Sequence, residues 1–280
     1  MKSRRKIRVE WREPKLLILD LSDRKGRMLR GTRPWIDGTM KGPDHLMELL
    51  AFHLHRLGAA QAKALSFVSD GAPWIWNRLD WVIARAGLDP TRVERVLDFY
   101  HAVHHVSLAL QALGWAEAER TAMYQTLRHQ WRAGRSREVV ATLRSRAEGQ
   151  PPDSSVWVEI EFLAKHEAHL RYDWFRYRGR PLGSGAVESA MRRVINLRLK
   201  GNGISWREED AEAMLVLRAA ALTGRWEETM ERVQAVMATD RRRDWKWEAP
   251  DIEAELNSGV PIKSPVPQPQ SSEQQGAIAA

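Results

Sequence analysis

The apolar positions of this chain change period as it is read from the start. Residues 15–21 form a compact apolar run of strand length, and Asp23-Arg24-Lys25-Gly26 offers a hairpin turn into a second strand over 27–32. From Asp44 the spacing becomes helical. Leu46, Leu49, Leu50, His53, Leu54 and Leu57 share one face of a helix that Asp44 caps and Gly58 stops. Leu65-Ser66-Phe67-Val68-Ser69 predicts a strand ending at Asp70-Gly71. A helix opens at Pro73, carries Ile75, Leu79, Val82 and Ile83 as its stripe, and closes at Gly87. Residues 93–97 predict another strand, running into Asp98.

From Phe99 to about Tyr172 the pattern is helical, with breaks near Gly114, Gly134 and Gly149-Gln150-Pro151-Pro152. Beyond Pro181, Gly183-Ser184-Gly185 leads into a helix reaching about Lys200. Ser205-Trp206-Arg207-Glu208 reads as a capping box for a helix to Thr223, and a last helix spans 226–237. Strands with crossover helices, then a long helical stretch, then more helices predict a mixed α/β core interrupted by a helical insertion. Five parts follow: a basic arm (1–14), the first part of the core (15–98), the insertion (99–180), a C-terminal helical part of the core (181–240), and a Pro/Gln/Ser-rich tail (241–280) expected to be disordered.

Composition narrows the chemistry. The 280 residues contain no cysteine, which removes disulfides, thiolate zinc sites and cysteine nucleophiles and fits a reducing, cytoplasmic setting. A net charge of +8 favours a polyanionic partner. The charge is uneven: residues 1–15 carry seven basic and two acidic side chains, residues 251–280 one and four. Leu16-Leu17-Ile18-Leu19 is far too short for a membrane span, so no membrane partner is expected. Thirteen tryptophans lead to the expectation of a core built largely from aromatic rings.

Asp70 is the sharpest single candidate, a carboxylate at the C-terminal end of a strand, where α/β sheets bind ligands; it could equally start a turn or cap the helix at Pro73. Glu188 sits in the first turn of a helix behind Gly183-Ser184-Gly185, where it can face a ligand or simply complement the helix dipole and pair with Arg192. Asp98, His101, His104 and His105 cluster in one stretch. The zincin pattern is absent, and an Asp98–His101 hydrogen bond that shapes a site is favoured over zinc. Arg192, Arg193, Arg198 and Lys200 can hold phosphates beside Glu188, or form a solvated basic face. No P-loop, Gly-x-Gly-x-x-Gly or Gly-x-Ser-x-Gly occurs. Carboxylates on separate elements next to basic surface are what two-metal phosphoryl transfer needs, with Mg²⁺ or Mn²⁺ ions roughly 3.5–4 Å apart.

At these residues the chain resembles bacterial insertion-sequence transposases of the DDE type, closest to the ISKra-type group. The resemblance is carried by Trp11-Arg12-Glu13-Pro14-Lys15, Ser69-Asp70-Gly71-Ala72-Pro73-Trp74-Ile75-Trp76, Leu97-Asp98-Phe99-Tyr100-His101-Ala102 and Pro181-Leu182-Gly183-Ser184-Gly185-Ala186-Val187-Glu188-Ser189. Arg198-Leu199-Lys200-Gly201-Asn202-Gly203, Trp206 and Ala213-Met214-Leu215-Val216-Leu217-Arg218 follow in order. It implies a ribonuclease-H-like mixed-sheet core with a helical insertion, Asp70 and Glu188 as catalytic metal-holding acids, and Asp98 and His101 in support. It also implies a two-metal Mg²⁺ or Mn²⁺ site, double-stranded DNA as substrate and a homo-oligomer on DNA. The family places its first catalytic Asp on a strand before the Trp-Arg-Glu-Pro-Lys segment, and no Asp precedes Trp11 here. Asp20 is the only substitute in a strand setting, so the resemblance implies an N-terminal fragment supplied separately, or a catalytically inactive DNA-binding remnant.

Overall fold

The computed structural model describes residues 10–244. The chain divides into two units, 1–230 and 231–280; of the second, the described part is the C-terminal portion of the last helix. The architecture is mixed α/β, with two small sheets among many helices. After Lys15, β1 (Lys15–Leu19) is apolar at every position, as a strand covered on both faces should be. It pairs antiparallel with β2 (Trp35–Thr39), Lys15 opposite Thr39 and Leu19 opposite Trp35.

The second strand expected at 27–32 does not form. There the chain makes an isolated Ser22–Met28 bridge, and the Asp23 carboxylate organises the turn by accepting the Lys25 and Arg27 N–H groups. Residues 27–33 carry three arginines and no alternating apolar face, whereas Ile36 of β2 is buried in the core.

The second sheet pairs β3 (Leu65–Ser69) parallel with β4 (Val93–Leu97), Ser69 opposite Leu97. α1 (Pro43–Arg56) starts at Pro43 behind Gly42, not at an Asp44 cap, because Pro is pre-organised for the first helical position. Asp44 instead pairs with Arg78 at 2.6 Å. Arg78 also donates to the Trp74 carbonyl, where the single helix expected over 73–87 breaks into α2 (Pro73–Trp76) and α3 (Leu79–Arg85). Both sheets rest on these helices: Leu17 and Leu19 of β1, Leu65 and Phe67 of β3 and Val93 of β4 join one apolar cluster with Leu46, Leu50, Val82 and Ile83. The Lys15 ammonium lies 4.9 Å from the Trp74 ring centre, so β1 begins near where β3 ends. All five residues of β3 remain half-buried, although Leu65, Phe67 and Val68 are apolar.

The predicted insertion is helical: α4 (Phe99–Ala112), α5 (Glu117–Arg132), α6 (Ser136–Arg146), α7 (Ser155–Lys165) and α8 (Tyr172–Tyr177). Its core of Val106, Leu110, Trp131, Leu143 and Ile160 is continuous with Val96 and Leu97 of β4. A further break at 166–171 carries no Gly or Pro to announce it.

On the other side of the β1–β2 hairpin lie α9 (Gly185–Ala190), a π-helix (Met191–Asn196) and α10 (Glu208–Thr223), meeting it through Ile36, Val194, Ile195, Leu215 and Ala219. The helix expected to reach Lys200 ends in this π segment. Ser205 does not cap α10, which begins at Glu208 behind Arg207; Glu208, Glu209 and Asp210 complement its dipole instead. α11 (Trp226–Asp244) extends beyond 237 into the stretch expected to be disordered. The rest of that tail, and residues 1–9 of the arm, lie outside the described residues.

The tryptophans depart from expectation. Only Trp76 and Trp131 are buried among the described residues, while Trp11, Trp81, Trp174, Trp206 and Trp226 are exposed. Trp35, Trp74, Trp115 and Trp174 instead lie beneath Lys or Arg side chains, a use of the indole face that suits an arginine-rich chain. No helix among the described residues is long and apolar enough to cross a membrane.

Candidate functional site

The site is organised by Asp98, the residue that ends β4. Its N–H donates to the Ser69 carbonyl at 2.8 Å, holding together the strand ends from which Asp70 departs. Its carboxylate is buried and fully engaged. Oδ1 accepts the N–H groups of Tyr100 (2.7 Å) and His101 (2.9 Å), capping α4. Oδ2 accepts the Ser184 N–H and, at 2.5 Å, the Ser184 hydroxyl. The Phe99 N–H donates to the Leu182 carbonyl at 2.8 Å, zipping the same two segments. Ser184 is the residue before α9, whose first turn carries Glu188.

Asp70 and Glu188, 118 positions apart in sequence, therefore leave segments that meet at one buried residue, the first on the Asp98 backbone N–H and the second on its carboxylate. Both acids are solvent-exposed. Asp70 Oδ1 accepts the Ala72 N–H at 3.0 Å, so the turn role is real and occupies one oxygen.

The Asp98–His101 pairing takes a different form from the one expected. Asp98 receives the His101 backbone N–H; the imidazole continues along α4 to His105, with the two Nε2 atoms 3.1 Å apart. A residue three positions after a cap presents its N–H, not its side chain, to the capping carboxylate. From His105 a ridge of rings runs across the fold. Glu159 lies 2.5 Å from His105 Nδ1, Phe162 stacks on His105 at 3.8 Å and meets His166 at 4.8 Å, and Trp76 stacks on His169 at 4.5 Å. Only His101 and His105 were foreseeable; Glu159, Phe162, His166 and His169 repeat at helical spacing but carried no motif.

The ridge reaches the Asp70 loop at Gly71, which has φ +87°. A Cβ there would stand 2.8 Å from Leu97 Cδ1, 2.9 Å from Phe162 Cζ and 3.3 Å from His166 Nε2. Gly71→Ala is expected to destabilise the fold by about 2–4 kcal/mol, combining left-handed backbone strain with overpacking. Equilibrium denaturation checks this; an unchanged midpoint would mean that the loop is free to move.

Burial lowers the pKa of His105, against the pull of Glu159, and lowers that of His169. His166 is pushed down to about 4, by burial first and then by His169, Lys165 and His105. Between about pH 6.5 and 4 the unfolded chain thus binds more protons at this residue than the folded one. Its stabilising contribution is complete above the unfolded value and is lost as pH falls through that window. By linkage the full shift is worth about 3 kcal/mol, and solvent screening brings the expected loss to about 1–2 kcal/mol. Urea titrations at pH 7.5 and 4.5 measure it, and His166→Gln should flatten the difference.

Arg192 and Arg193 are exposed on the π-helix, and Arg198 and Lys200 are exposed beyond its end. Arg218 of α10 donates to the Arg193 and Val194 carbonyls and fixes the wide turn. Its pKa is lowered, by burial first and then by the nearby Arg198 charge. Asp20 follows β1, and burial raises its pKa. Since β1 begins near the end of β3, Asp20 stands at the opposite end of the strand from the Asp70 side, roughly 17 Å away for five residues.

Asp70 and Glu188 supply hard oxygen donors suited to Mg²⁺ or Mn²⁺. Asp98 does not, because four donors already occupy its oxygens. Among the described residues no three His, Asp or Glu side chains converge to hold a metal ion. Against known proteins, no family matches the chain, and no curated protein or solved structure shows significant similarity to it.

Proposed function

We propose that the chain acts as a DDE-type transposase that cleaves and joins DNA, with a further carboxylate completing the pair Asp70 and Glu188. The observation that carries this reading is the Asp98 junction. One buried acid ties the strand end before Asp70 to the Gly-Ser-Gly turn before Glu188, the two positions that the transposase resemblance assigns to catalysis. Exposed arginines on the segment after Glu188 favour a phosphate-bearing partner.

The two sheets support a ribonuclease-H-like core. They lean on the same pair of helices, and β1 starts near the end of β3. One added strand, antiparallel to β1 and parallel to β3, would merge an antiparallel and a parallel pair into a single five-stranded mixed sheet. Such a strand would run between the Asp70 and Glu188 segments, where the resemblance puts its first Asp. A remnant that binds DNA without cutting it is the second reading, favoured by the occupied oxygens of Asp98.

Mg²⁺- or Mn²⁺-dependent cleavage and strand transfer on DNA bearing the element's ends separates the two. The assay compares the chain alone with a chain extended by the sequence encoded upstream. Activity confined to the extended chain supports the first reading, and binding without cleavage by both supports the second.

A further inference from the structure

The face of α8 opposite the core has the chemistry of a stacking platform. Tyr172 and Phe175 point inward, and the Tyr172 hydroxyl donates to the Leu97 carbonyl at 2.9 Å, so the apolar needs of this short helix are met. Trp174 and Tyr177 point outward, the latter 84% exposed, with ring centres 6.2 Å apart and planes inclined by 33°. Arg171 and Arg178 lie 5.2 and 5.4 Å from the Trp174 ring centre. Glu94 is already engaged by Arg180 and stands 3.7 Å from Arg178.

The patch continues onto the turn at 23–27. A Cβ on Gly26 would stand 2.3 Å from the Arg180 carbonyl oxygen, and one on Gly179 would stand 2.4 Å from that of Arg24. The two backbones are thus locked side by side, and exposed Arg24 and Lys25 extend the basic surface. Residues 171–180 carry four arginines against one acid. The chain then passes directly into the 181–184 segment held by Asp98.

Resting on the nucleic-acid reading above, we propose that this surface binds single-stranded DNA next to the site. A base stacks on Tyr177, and Arg24, Lys25, Arg171 and Arg178 contact the flanking phosphates. An open aromatic ring beside a tryptophan that carries two guanidinium groups fits an unpaired base, whereas the bases of a closed duplex present edges in the grooves and no free ring face. An acidic peptide would use the charges but not the ring.

The test is fluorescence anisotropy with a labelled oligothymidylate and with a labelled duplex of equal length. Tyr177→Ala should weaken oligothymidylate binding roughly 5- to 150-fold and leave duplex binding unchanged, while Tyr177→Phe should bind like the wild type. Arg171→Gln and Arg178→Gln should each reduce the log–log salt slope by about 0.7. Circular dichroism melting verifies that these exposed substitutions leave the fold intact. Unchanged oligothymidylate affinity in Tyr177→Ala, or equal competition by polyglutamate, would overturn the proposal. If binding requires Tyr177 but the extended chain shows no Asp70-dependent cleavage, the transposase reading falls and this surface stands. Cleavage with Tyr177-independent binding removes the surface alone.

Discussion

In an N-terminally extended, cleavage-competent chain, Asp70→Ala and Glu188→Ala are each expected to lower the rate at least roughly a thousandfold. That corresponds to about 4 kcal/mol of transition-state stabilisation, the scale on which metal-assisted phosphoryl transfer depends on its carboxylates. Folding stability should hardly change, because both side chains are exposed and only Asp70 makes a local bond, to the Ala72 N–H. The measurement is initial cleavage velocity at saturating divalent cation, alongside a denaturation midpoint for each variant. Wild-type velocity in either variant would remove that residue from the site.

Asp98→Ala should behave in the opposite manner, with a large effect on folding. Its loss strips the cap from α4 and leaves the Ser184 N–H without its acceptor, for an expected cost of about 3–4 kcal/mol. Asp98→Asn keeps an acceptor oxygen but turns an amide donor towards one set of N–H groups, so it should fall between the two. Urea denaturation reads the stability, and limited proteolysis at 181–184 reads the release of the segment before Glu188. A variant with wild-type stability and no new cleavage in that segment would show that the junction is held by other contacts.

The parts of the fold legible in the sequence are those with chemical punctuation. Asp70-Gly71 and Pro73 marked the end of β3, and Gly183-Ser184-Gly185 marked the approach to α9, so both candidate acids were placed on the correct element. β2 was not legible, because Trp-Ile-Asp-Gly-Thr has the composition of a turn; it becomes a strand only because Ile36 finds the apolar face of α10 and Glu212 accepts the Thr39 hydroxyl.

The nominal capping box at Ser205 and the nominal cap at Asp44 failed for a related reason: local preference yielded to Pro43 in one case and to a longer loop in the other. The role of Asp98 was half legible. Its cap on α4 follows from position, but its grip on Ser184 spans 86 residues and depends on how β4 and α9 meet. The ring ridge shows the same limit, since His101 and His105 share a helix face in sequence whereas Glu159 joins them only across two packed helices.

The π-helix after Glu188 has a consequence for angular phase. An α-helix turns about 100° per residue, so residues seven apart, such as Arg193 and Lys200, would project from one side of an unbroken helix. Here the Leu197 N–H reaches back five residues to the Arg192 carbonyl, and regular structure stops at Asn196. The inserted residue shifts the phase by about one α-helical step, and beyond Asn196 the chain continues as a turn in which the Arg198 and Leu199 N–H groups donate to the Ile195 carbonyl. Arg193 is tied to the helical part, donating to the Ser189 carbonyl and accepting from Arg218, while Arg198 and Lys200 lie beyond the π segment. Arg192 and Arg193 on the π-helix and Arg198 and Lys200 beyond its end therefore do not form one stripe along a single regular helix.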